Sequence, residues 1–142
     1  MKYLTTLLIW LVFFSCQSGQ SDSKEVNKKT SPVSLRSEIL AIHDEVMPKM
    51  GELRKTRKDL IIGADSLKKS DSIGAATFLI AADQIASANE GMMDWMRNYE
   101  PTYEGTEEKV LSYLEEQKKS IQRVKENMEG ALTRGQKILK QE

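Results

Sequence analysis

ILAIHDEVMPKMGELRKTRKDLIIGADSL, residues 39–67, carries an apolar side chain at every seventh position: Ile39, Val46, Leu53, Leu60 and Leu67. Ile42, Met50 and Ala64 fill the intervening turns. A period of seven belongs to a helix that buries one seam against other helices, whereas a half-buried strand needs alternation with a period of two. Pro48 works against this pattern. It has no N–H to offer the Asp44 carbonyl, and its ring crowds the preceding turn, at a cost of about 3 kcal/mol in a helix interior. Gly51 loosens the backbone three residues further on. The stretch predicts one long helix over 34–69, kinked near Pro48, with Ser34 as its N-cap ahead of Ser37 and Glu38.

Downstream, Ser70-Asp71-Ser72 supplies stop-and-restart chemistry, because these side chains can accept hydrogen bonds from the first free amides of a following helix. A second helix over 72–99 carries Phe78, Ile85, Met92 and Tyr99 as a heptad row, with Ala81, Ala88 and Trp95 beside it. Alanines at 75, 76, 81, 82, 86 and 88 allow close helix approach, and Pro101 and Gly105 end the run. A third helix over 106–140 places Val110, Leu114, Ile121, Val124, Met128, Ala131 and Ile138 on one face. The expected fold is all-α: an antiparallel up-down-up three-helix bundle over 34–142, closed by two short connections. An open helical hairpin that completes its core by dimerising is the alternative, so monomer and homodimer both stay open.

Upstream lies an address. Lys2 is a minimal basic n-region, and Leu4 to Phe14 (LTTLLIWLVFF) is an apolar run of 11 residues. That is too short for a hydrocarbon layer of about 30 Å, which takes roughly 20 helical residues. Residues 1–15 read as a signal peptide. Cys16, the chain's one cysteine, stands where the apolar run ends. Phe13-Phe14-Ser15-Cys16 resembles the lipobox of bacterial lipoproteins at Ser15 and Cys16 and departs from it at Phe13, where Leu is usual, and at bulky Phe14. The resemblance implies lipid attachment at Cys16; plain secretion and a retained anchor helix are the other readings. Residues 16–33 then form a disordered tether, rich in Ser, Gln and Lys and without an aromatic. Its 17 residues after Cys16 span about 20–25 Å as a flexible chain.

Composition narrows the function. Among 142 residues, 21 basic side chains balance 21 acidic ones, which gives no global attraction for nucleic acid. One Cys and one His exclude an internal disulfide, a CxxC redox pair, paired Glu-x-x-His di-iron motifs and His-rich zinc centres. No G-x-S-x-G, Walker or G-x-G-x-x-G motif occurs. Glu107-Glu108 and Glu115-Glu116 read as solvent-face carboxylates near a helix start, where they favour the helix dipole. No catalytic residue is assigned, and the chain reads as a non-enzyme.

Locally the charge is uneven. Lys49 to Lys69 holds seven basic and three acidic residues, and Asp83 to Glu108 holds seven acidic and one basic. Antiparallel folding would gather Arg134, Lys137 and Lys140 with the first cluster into a basic pole. Glu38, Asp44, Glu45, Glu100, Glu104, Glu107 and Glu108 would form an acidic one. Solvated faces account for this; an electrostatically polarised docking module is the sharper reading.

His43, Met47 and Met50 follow i, i+4, i+7 spacing, and Met92 and Met96 share a face near Trp95. Counted outward from a turn near residue 71, all six fall at one height of the bundle. Thioethers with one imidazole suit a soft cation such as Cu(I). Met is equally a filler for irregular, kinked cores, and Trp95 with Met96 would also suit a groove for a partner helix.

Residues 34–142 resemble a group of small helical lipoproteins of Bacteroidota, some of them labelled viral A-type inclusion proteins. The likeness rests on His43-Asp44-Glu45-Val46-Met47-Pro48-Lys49-Met50-Gly51, on Met92-Met93-Asp94-Trp95-Met96 and on Tyr113-Leu114-Glu115-Glu116-Gln117-Lys118-Lys119. It implies a membrane-tethered helical protein with no ligand residues to carry over. Gln17 after the cysteine is similar to outer-membrane sorting signals, and the acidic run of surface-exported lipoproteins is missing, which together imply an outer-membrane protein facing the periplasm. The expected role is a lipid-anchored binding or scaffolding module with a protein partner in the envelope. A soft-metal-binding protein and a small helical chaperone are the alternatives.

Overall fold

A computed structural model describes residues 31–140. The expected signal peptide, Cys16 and nearly all of the expected tether lie outside the described residues. Four helical segments follow in order: α1 (Pro32–Val46), α2 (Lys49–Leu67), α3 (Ser72–Asn98) and α4 (Glu107–Leu139). No strand forms among the described residues. α1 and α2 are two halves of one rod, so the architecture is the expected all-α three-helix bundle. No described helix is long and apolar enough to cross a membrane.

The first helix starts earlier than its apolar pattern. Ser31, not Ser34, is the N-cap: its hydroxyl accepts from Ser34 N at 3.1 Å, and Pro32 occupies the first turn. Proline fits there because its fixed φ suits a helix and its missing N–H would have had no partner. Ser34 instead donates its hydroxyl to Glu38 at 3.1 Å. Helical structure thus takes two residues from the proposed tether, since Ser31-Pro32 reads as linker by composition and as a helix start by geometry.

At Pro48 the hydrogen-bond ladder breaks, yet Met47 and Pro48 both keep right-handed helical dihedrals. Met47 N donates to His43 O at 2.9 Å, and Met50 N to Met47 O at 3.1 Å, a tighter three-residue closure. Proline removes one bond and the chain continues.

Register across the break is held by α4. Glu38 pairs with Lys118, Glu45 with Lys125 and Lys49 with Glu129, each partner 80 positions away. A constant offset on both sides of Pro48 means that α1 and α2 run parallel to α4 without losing a residue. α3 returns antiparallel between them, started by Asp71, whose carboxylate accepts from Gly74 N at 2.9 Å.

Ile39, Val46, Leu53 and Leu60 of the heptad row are fully buried, with Ile85, Met92, Leu114, Ile121 and Met128 from the other helices. Leu67, at the row's end, is only half-buried. At Gly135, α4 lies tight against side chains of both α2 and α3. A Cβ there would lie 2.8 Å from Ile85 Cδ1 and 3.0 Å from Thr56 Cγ2, so only glycine fits without repacking. The core closes within one chain, as the bundle requires and the open hairpin does not.

Candidate functional site

The predicted layer is built where the Pro48 break meets the end of α3. His43 lies in the last turn of α1 and Trp95 in the last turn of α3. Their rings are 5.8 Å apart and tilted by 35°, and Trp95 stacks on Tyr99 at 4.8 Å and 15°. These are ordinary separations for attractive ring pairs. His43 Nδ1 sits 2.9 Å from Asp44 Oδ1. The bundle therefore brings His43 and Trp95 together, as the count from residue 71 requires.

The methionines divide by depth. Met50 and Met92 belong to the closed apolar core, and Met47 and Met96 pack against its edge. Four thioethers in that setting fill the irregular space beside the break, a use to which flexible Met is suited. Among the described residues, no group of three or more His, Cys, Asp and Glu is placed to hold a metal.

Sequence reasoning missed the column's continuation. Trp95 Nε1 and the Tyr99 hydroxyl are buried without a hydrogen-bond partner. Burial pushes the Tyr99 phenol above its ordinary pKa; Tyr113 adds to the shift and Arg36 opposes it. Beyond it, Tyr103 stacks on Tyr113 at 4.3 Å, and the Tyr113 hydroxyl accepts from Glu100 N at 2.6 Å. Arg36 Nε donates to Pro101 O at 2.9 Å. The α3–α4 connection is thus clamped from α1 and α4. Spacing could not reveal this, because it depends on the path of an irregular loop.

The charged poles are partly consumed by folding. Glu38 and Glu45, counted as acidic surface, are tied to Lys118 and Lys125. That hydrogen bond, followed by attraction to Lys125 and Lys49, lowers the Glu45 pKa; bonding to Glu45 raises that of Lys125. Arg97 gathers Glu90 and Asp94. Arg134 donates to Gln84 across α3 and α4. At the α2–α3 tip, Lys68 and Lys69 have no ion-pair partner among the described residues.

A second surface went unread. From Ser72 to Ala88 the only ionisable side chain of α3 is Asp83. Ala75, Phe78, Ala81, Ala82, Ile85 and Ala88 face the core. On the outer side Ile73 is 79% exposed, Ile80 61% and Leu79 51%, with exposed Ala76 among them. The missing charges were the available signal.

The fold defines the class: a single-chain three-helix bundle with a split first helix. Compared with protein families, curated proteins and solved structures, the chain matches none.

Proposed function

We propose that the protein is a cell-envelope lipoprotein, attached to the outer membrane through Cys16 and facing the periplasm, that acts as a non-enzymatic binding or scaffolding module. The observation that carries the binding role is the outer face of α3. A surface helix in a small bundle keeps polar residues toward water, and one that is apolar all round is normally covered. The first half of α3 is apolar on both faces, and one chain covers only the inner one. α1 and α2 together run about 50 Å at 1.5 Å per residue, so an anchor joined at Pro32 would present this face at the far end of the rod.

The full chain, expressed in a bacterium with a photo-crosslinking amino acid at Ile80 or at exposed Lys119, tests both parts. A discrete adduct from position 80 and none from 119 is expected; no adduct from 80 removes the binding face. Cys16→Ser should release the chain from the membrane fraction. If the variant stays there, the lipid anchor is wrong.

A further inference from the structure

We infer that the partner on this face is an anionic lipid bilayer, against which the outer ridge of α3 docks between two rows of cations. The inference rests on the binding role proposed above and names the chemistry of the partner.

α3 runs between two grooves. Arg54 and Arg57 of α2 line one, with Ala86, Asn89 and Glu90 of α3. Arg134 of α4 lines the other, with Asp83, Gln84 and Ser87 of α3. Seven residues make almost two full turns, so positions seven apart share a flank of the helix. Leu79 therefore lies on the flank of Ala86, toward the α2 arginines, and Ile80 on the flank of Ser87, toward Arg134. Ile73 continues the Ile80 flank toward the α2–α3 tip, and Ala76, in line with Asp83, sits between the two. The exposed apolar side chains thus form a ridge with guanidinium groups along both sides. Lys68 stands fourteen residues after Arg54 and extends the α2 row to the tip; Lys137, one turn beyond Arg134, extends the α4 row.

These cations are unpaired. Arg54, Arg57, Lys68, Lys69, Arg134 and Lys137 are exposed, and none has an ion-pair partner among the described residues. From Leu60 to Ala88 the acids are Asp65, Asp83 and Asp71, which caps α3, and from Gly130 to Lys140 there is none. Glu90 reaches the α2 groove but is held by Arg97. An apolar ridge flanked by cations is how a helix lies in a membrane interface: aliphatic side chains enter the acyl boundary and the cations meet anionic headgroups. A protein partner in a standard interface would cover roughly 800 Å² on each side, more than Ile73, Ala76, Leu79 and Ile80 can offer. The ridge is a side of the rod, so docking lays the bundle along the surface, with the anchor proposed at Cys16 joined at the other end. One weak attachment binds a membrane reversibly and two hold it, so Cys16→Ser is still released.

The test uses the full chain reconstituted in vesicles of phosphatidylcholine, alone or mixed with phosphatidylglycerol. A polarity-sensitive fluorophore is placed on Ala76→Cys or Ile62→Cys; the wild type, with Cys16 alone, gives the background. Ile62 is also an exposed apolar residue but lies on the outer side of α2 and lines neither groove. In the anionic vesicles the label at 76 should shift to the blue and be quenched by nitroxide-bearing lipid several-fold more than the label at 62. Lys68→Glu with Lys69→Glu should cut the quenching several-fold, as should high salt, and Ile80→Asp, at an exposed site, should abolish it. Equal quenching at 76 and 62, equal quenching in neutral and anionic vesicles, or no effect of the lysine reversals overturns the inference. Photo-adducts from position 80 to a protein, with no quenching at 76, overturn it while leaving the binding face in place; no adduct of any kind from 80 removes both.

Discussion

Lys125 Nζ lies 2.5 Å from Glu45 Oε1, joining α4 to the last turn of α1 across 80 residues of sequence. Lys118–Glu38 repeats the relationship seven residues earlier, and Lys49–Glu129 repeats it with the charges exchanged on the far side of Pro48. Opposite signs at flanking positions fix the register of parallel helices in the way that e and g charges do in coiled coils. The pairs are partly exposed, so they select an arrangement more than they stabilise it. Glu45→Lys should lower the thermal midpoint, and adding Lys125→Glu should recover most of the loss. Both effects should shrink in high salt. The lowered Glu45 pKa also fixes a pH window. Its contribution is complete above the ordinary carboxylate pKa of 4.5 and is lost as pH falls through the lower folded value. Acid titration of Glu45→Gln beside wild type checks this: the variant should lose less stability on acidification.

Pro48 interrupts a rod whose backbone is helical on both sides, so Ala fits its dihedrals without strain. Pro48→Ala should restore a donor for the Asp44 carbonyl and remove the steric conflict of about 3 kcal/mol that an interior proline carries. The freer unfolded chain opposes this by about 0.4–1 kcal/mol. A net gain of about 2 kcal/mol in urea unfolding is expected. A loss would mean that the break itself directs α1 onto α4.

The heptad row and the break at Pro48 were legible because each depends on neighbours along the chain. Ile39, Val46, Leu53 and Leu60 reach the core as their spacing requires, and Pro48 breaks the ladder where its missing N–H says it must. Ser31 was hidden for a different reason: linker and N-cap share the same small polar residues, and only the following Pro32 separates them. Ion pairs between residues 80 apart depend on helix rotation, which a one-dimensional pattern does not carry. At the candidate layer, the height of His43 and Trp95 follows from counting residues about a turn. The further stack onto Tyr99 depends on where α3 ends.

His43 separates two uses of the methionine layer. If its role is to pack on Trp95, His43→Ala should cost about 1 kcal/mol, as lost ring pairs do, and alter Trp95 emission. Cu(I) affinity, read by competition with a chromogenic chelator, should then be the same in variant and wild type. A soft-metal site would instead show Cu(I) binding tighter than micromolar that disappears with His43→Ala. Met96→Leu keeps the packing volume and removes one thioether, so it should weaken Cu(I) binding only if sulfur coordinates.

Tyr99 carries the clearest alkaline signature. Its hydroxyl is buried without a partner, and burial raises its pKa above 10.0. The folded state therefore holds this proton more tightly than the unfolded chain. The Tyr99 contribution is complete below the unfolded pKa and is lost as pH rises through the folded one. Tyr99→Phe keeps the stack on Trp95 and removes both the titration and the unmatched hydroxyl. At neutral pH it should be neutral or stabilising by up to about 1 kcal/mol, because an unsatisfied buried polar group is a cost that phenylalanine avoids. Above pH 10 it should unfold less readily than wild type in chemical denaturation at fixed temperature. Parallel losses in the two proteins would mean that Tyr99 ionises freely and that the alkaline limit lies with the lysines, Lys125 above all, whose pair with Glu45 ends when its ammonium gives up a proton.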